Sequence, residues 1–189
     1  AIEPTKGFLA DRTSLLSIIK IELNGVVKSI PFIAVLLIWF VILISEIYSR
    51  VIEGGEYGDS LYPLTNFMIE NMVEPLKALS IVLIVFYSGE IVWRERFFNF
   101  NGIIDATPVS NWVFFIAKLI AILLLPITLI SSGIVVGILF QLFNGFYTIE
   151  LGQYLAVFYF YGWQLCIFSV LGIFIQSVVR NKYLGMGIT

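Results

Sequence analysis

The chain has 189 residues and a formal net charge of -2; 59% of it is hydrophobic, 16% aromatic and only 13% charged, with a mean hydropathy of +0.97. A soluble domain of this length has no interior large enough for that much apolar side chain, so the composition places the chain in a bilayer. The complete lack of histidine excludes zinc-peptidase helices and Ser-His-Asp relays from these residues, the scattered Lys and Arg exclude a nucleic-acid interface, and the lone Cys166 excludes an intrachain disulfide.

Residues 8–29 carry Leu15, Ile19, Val26 and then Ile30 on one helical stripe, with Ser17, Lys20, Asn24 and Lys28 on the opposite one. That pattern predicts an amphipathic helix lying in the membrane interface, and its mixture of charges is unlike a signal peptide. Ser29-Ile30-Pro31 supplies a cap and a first-turn proline for a first span over 30–48. Roughly twelve strongly apolar residues at about -0.4 kcal/mol each outweigh the ~3 kcal/mol cost of one central charge, so Glu46 at the edge does not disturb this span.

The chain then turns acidic over 49–74, with Glu53, Glu56, Asp59, Glu70 and Glu74, and Gly54, Gly55 and Gly58 break it. A hydrated loop is expected there, with a short helix around Thr65 to Met72. Pro75 opens a second span over 75–93. Its uncharged centre from Ala78 to Gly89 covers only about 18 Å, so a re-entrant hairpin competes with a full crossing.

A loop over 94–110 follows, in which Arg94, Glu95 and Arg96 lead through Phe97, Phe98 and Phe100 to Asp105-Ala106-Thr107-Pro108. Ser110 or Asn111 can cap a third span over 111–143, with Trp112 at interfacial level. No Asp, Glu, Lys or Arg occurs from Leu119 to Ile149. At about 48 Å this span is too long for one straight crossing, and Pro126 with Gly133 and Gly137 is expected to kink or tilt it. The Gly133 and Gly137 spacing is also the small-xxx-small pattern of helix packing. Asn144-Gly145 makes a turn, a fourth span runs over 151–179 behind an aromatic block from Tyr154 to Trp163, and residues 183–189 read as the start of a fifth.

The basic loops alternate with the poor ones, which by the positive-inside rule puts the N-terminal segment, the 94–110 loop and the Arg180-Asn181-Lys182 turn in the cytoplasm and the acidic loop outside. Glu46, Lys77, Glu90 and Lys118 all fall near expected span ends, and the central polar residues Gln141, Gln164 and Gln176 read as helix joiners, which ranks an ion-coupled carrier last. The chain opens without Met and turns apolar again at its last residues, so it is expected to be a piece of a longer polypeptide.

The run Gly89-Glu90-Ile91-Val92-Trp93-Arg94-Glu95-Arg96, followed by Ile104-Asp105-Ala106-Thr107-Pro108-Val109-Ser110 and Lys118, resembles the loop between the second and third spans of ABC transporter permeases of the type-2 exporter class. Gln141-Leu142-Phe143-Asn144-Gly145-Phe146-Tyr147 and Asn181-Lys182-Tyr183-Leu184-Gly185 also resemble that group. Within it the chain is most similar to bacterial, Bacteroidetes-like members in which permease segments are joined to a zinc aminopeptidase-like domain.

The resemblance implies six spans per permease unit, an elbow helix at about Leu15 to Lys28, and a coupling element within Arg94 to Thr107 that docks on an ABC ATPase subunit. Coupling residues would be Glu90, Arg94, Glu95, Arg96, Asp105, Thr107 and Pro108. ATP and Mg would sit on that partner, since no phosphate-binding loop occurs here and the segment itself is no enzyme. A second permease unit, as a homo- or heterodimer or as the other half of the same polypeptide, and the lipid bilayer complete the implied partners.

The expectation is therefore an all-α polytopic membrane helical bundle, an elbow helix plus four transmembrane helices and the start of a fifth. It would export a substrate across the bacterial cytoplasmic (inner) membrane. Phe97, Phe98 and Phe100 stand where those relatives are more polar. They motivate the alternative, a non-transporting membrane anchor or scaffold of a larger envelope complex or of a peptidase domain elsewhere in the polypeptide.

Overall fold

The computed structural model describes residues 8–51, 63–97, 111–179 and 181–189. They form six helices, with no strand among the described residues: α1 (Phe8–Val27), α2 (Ile30–Val51), α3 (Thr65–Phe97), α4 (Asn111–Phe143), α5 (Leu151–Val178) and α6 (Lys182–Ile188). Four stretches are long and apolar enough to cross a bilayer, Ile30–Val51, Thr65–Arg94, Trp112–Phe143 and Leu151–Val178. The protein is an all-α, multi-pass membrane protein.

The second span differs from its sequence expectation. α3 does not begin at Pro75; it is one continuous helix from Thr65, with Pro75 inside it. The short helix expected around Thr65 to Met72 is therefore the start of α3 and not a separate element in an acidic loop, and in place of a re-entrant hairpin there is one helix long and apolar enough to cross a bilayer. The physical reason is a lane of Met68, Met72 and Leu76, at most 2% exposed, which repeats every four residues straight through the proline. Proline removes one backbone hydrogen bond at a cost of about 3 kcal/mol in an exposed helix, but packed neighbours and nearby side chains offset that loss in a membrane bundle.

α1 buries most of the stripe expected of it, with one carboxylate added to that face. Glu22 (6% exposed) and Val26 (2%) point inward with half-buried Leu15, Ile18, Ile19 and Leu23, whereas Ile30, assigned to the same stripe by spacing, is 82% exposed. The carboxylate is tolerated inside because a cation meets it, as described below. Lys20, Asn24 and Ser17 occupy the outer face as read, flanked by exposed Leu16, Ile21 and Val27. A helix with apolar flanks around a polar back suits an interfacial position.

The chain divides into two compact units. One comprises Ala1–Ser29, Ile84–Leu124 and Phe168–Thr189, and the other Ile30–Leu83 and Leu125–Ile167. The core of the second is built on Trp39, which is fully buried and donates from Nε1 to Ser132 Oγ at 3.1 Å. A Cβ on Gly133 would collide with Met72 Sδ and lie 2.9 Å from the Trp39 ring, and one on Gly137 would lie 2.9 Å from the Tyr154 hydroxyl. At these two positions α2, α3 and α5 pack tightly against α4, a geometry that membrane bundles favour.

The same unit ends in a buried polar hub. Gln141 Nε2 donates to Pro63 O at 2.8 Å and to Thr65 Oγ1 at 3.2 Å, and Tyr154 OH donates to Gln141 Oε1 at 2.9 Å. α4 terminates there in paired bonds from Phe146 N to Gln141 O (2.9 Å) and from Gly145 N to Leu142 O (3.1 Å), with Gly145 at φ 74°. That is the Schellman arrangement, and it needs the left-handed backbone that glycine supplies.

Candidate functional site

In the first unit, α3 ends among α1, α5 and α6, and its last turns carry the charges. Arg94 donates from Nη2 to Glu22 Oε2 of α1. Lys182 at the start of α6 donates from Nζ to Glu90 Oε2 at 2.5 Å. Between these two pairs, Trp93 Nε1 donates to Gln176 Oε1 of α5 at 3.0 Å. One turn further back, the Tyr87 and Ser29 hydroxyls share a hydrogen bond that holds the turn between α1 and α2.

Shape reinforces these bonds. Gly89 and Gly185 face Gln176, and a Cβ on Gly89 would meet Met186 Cε at 2.5 Å. Asn181 caps α6, its Oδ1 accepting from Tyr183 N at 3.0 Å, which sets the helix start that aims Lys182 at Glu90. The two ion pairs differ in environment. The Glu22 side chain is only 7% exposed against 32% for Arg94, whereas Glu90 and Lys182 are 44% and 28% exposed. The first is a partly buried pair whose loss strands a carboxylate, and the second is closer to a surface pair of small net worth.

Of the residues singled out from the sequence, Glu90 and Arg94 lie in this cluster, each engaged by a partner from its own chain. Glu95 and Arg96 continue α3. Asp105, Thr107 and Pro108 lie outside the described residues. Glu22, Trp93, Gln176 and Lys182 carry the cluster and were not assigned a site by spacing. Glu22 had a signal: it is the one carboxylate set into the lane Ile18, Ile19, Val26, where a helix facing a bundle is otherwise apolar.

Of two further charges, one departs from expectation and one does not. Lys77 is not at a span end, because α3 starts at Thr65 and runs about 18 Å before reaching it. Its Nζ lies 4.9 Å from the centroid of the Tyr161 ring on α5. Glu46 does lie near the end of α2, bonded to Arg50 at 3.3 Å on the exposed surface. Among the described residues no group of His, Cys, Asp or Glu is arranged to hold a metal ion.

The arrangement can act mechanically: the end of α3 is linked by directional bonds to α1 on one side and to α5 and α6 on the other, so a displacement of that end must move or break them. No family model, curated protein or solved structure matches the chain.

Proposed function

We propose that the chain is the membrane-spanning part of an ATP-driven ABC-type exporter, a permease of the type-2 class that converts ATP hydrolysis on a partner subunit into helix movement. The observation that carries this reading is the double tether of α3: Arg94 to Glu22 of the elbow helix and Glu90 to Lys182 of α6. The segment 98–110 follows directly from this helix end, so a push delivered there by an ATPase is passed to α1 and α6 together.

On this reading Glu95, Arg96, Asp105, Thr107 and Pro108 supply the contact with the ATPase, and Glu90 and Arg94 transmit force within the permease. ATP and Mg sit on the partner, and a second permease unit faces this one. The N-terminal segment lies in the bacterial cytoplasm, with the Thr65 end of α3 outside.

The full-length protein, gently solubilised, should bring down an ATPase and raise its turnover, and alanine at Arg96 and Asp105 should uncouple that turnover from transport while leaving insertion intact. A chain that inserts normally, captures no ATPase and stimulates none refutes the proposal and leaves the membrane anchor as the better reading.

A further inference from the structure

In the second unit, α3 exposes one lane of side chains whose chemistry changes once along its length. From the Thr65 end it reads Asn66, Glu70, Glu74 and Lys77, all exposed, and then turns apolar with Ala78, Ile81 and Val82. An open groove of about 730 Å³ runs beside the polar stretch and is walled by Val73 on α3 and Tyr161 on α5. The Tyr161 ring holds the Lys77 ammonium at the deep end. Glu70 and Glu74 form no ion pair with another described residue.

Helix length sets the depth of these groups. The 33 residues of α3 extend about 50 Å and overshoot a hydrocarbon core of about 30 Å by roughly 20 Å. Shared equally between the two ends, an overhang of about 10 Å puts Glu70 in the headgroup layer, Glu74 about 3–4 Å below it and Lys77 about 8 Å below it. Charged side chains on a lipid-facing surface are costly below that layer and need a partner of opposite charge.

We propose that this lane holds one phospholipid with a primary ammonium headgroup: the ammonium on Glu70 and Glu74, the phosphate at Lys77, and an acyl chain along Ala78, Ile81 and Val82. The order of the lane is that of the lipid, with head, phosphate and tail met in turn going into the membrane. Glu74 and Lys77 are separated by about 4.5 Å of helix rise, the scale of the ethanolamine bridge between nitrogen and phosphorus. A primary ammonium offers N–H donors to both carboxylates in charge-assisted hydrogen bonds, which a trimethylated one cannot do. A headgroup with phosphate alone would meet two carboxylates of its own sign. This binding requires neither ATP nor an ATPase, so it stands or falls separately from the transport reading.

The test is native mass spectrometry of the full-length protein in mild detergent with equimolar ethanolamine, choline and glycerol phospholipids. The ethanolamine lipid should be retained roughly fivefold over choline, the discrimination expected of one partly exposed ion pair. The exposed double variant Glu70→Gln/Glu74→Gln should lose that preference without a change in thermal unfolding, and Lys77→Gln should weaken retention of the ethanolamine and choline lipids alike. Equal retention of the three lipids, or a preference that survives in the double variant, overturns the proposal. So does a photo-crosslinker attached to Glu74→Cys that captures protein in place of lipid, because the lane would then be covered by polypeptide.

Discussion

Removing the Arg94 guanidinium leaves the Glu22 carboxylate 7% exposed with its cation gone. Breaking a fully buried pair from one side costs about 3–5 kcal/mol. Arg94 is itself 32% exposed, so water replaces part of what it gave, and we expect Arg94→Ala to cost about 2 kcal/mol. Over a chain of this size that corresponds to a fall in Tm of roughly 4–8 °C. Glu22→Gln keeps the shape of the side chain and removes the charge, so Arg94→Ala in a Glu22→Gln background should cost much less than in the native protein. The assay is thermal unfolding of the two single variants and the double variant in one detergent, followed by tryptophan fluorescence. A coupling of at least about 1 kcal/mol is expected; single effects that add to within about 0.5 kcal/mol would show that the two groups act independently and would remove the tether.

Lys182→Gln should be nearly silent in the same assay, within about 1 kcal/mol, because both members of the Glu90–Lys182 pair are partly solvated. Gln141→Leu should be among the most damaging single changes, about 2–4 kcal/mol, since it strands the Tyr154 hydroxyl and the Pro63 carbonyl at a site with no exposure; Tyr154→Phe should cost nearer 1 kcal/mol. Gly133→Ala should destabilise by roughly 1–3 kcal/mol through overlap with Met72 and Trp39, whereas Gly162→Ala, whose new methyl meets nothing within 4 Å, should be neutral or stabilise through helix propensity. Equal effects at the two glycines, read by the same unfolding curves, would contradict the packing described for α4.

The fold class was legible because long uncharged runs have one physical solution in a bilayer. α4 and α5 begin where the sequence placed them, since caps and turn residues such as Asn144-Gly145 act locally. α3 was misread at its start for the opposite reason. Glu70 and Glu74 argue against a membrane span and Pro75 against an unbroken helix, and only the buried lane of Met68, Met72 and Leu76, satisfied by other helices, decides otherwise. In the charged cluster, Glu90 and Arg94 stood out as ionisable residues near a span end, but their partners Glu22 and Lys182 are separated from them by 72 and 92 positions in sequence. No periodicity within one helix encodes such a pairing. The Trp93–Gln176 bond is hidden in the same way, because a glutamine in an apolar run shows that a partner is needed without saying which.

Every functional statement above depends on α3 crossing the membrane once, with Asn66 and Arg96 on opposite faces. Single cysteines at these two positions in the full-length protein, treated in intact cells with a membrane-impermeant maleimide, test this directly. The account predicts labelling of Asn66→Cys from outside and of Arg96→Cys only after the membrane is permeabilised. Labelling of both from the same side would contradict the single crossing, and with it the coupling scheme.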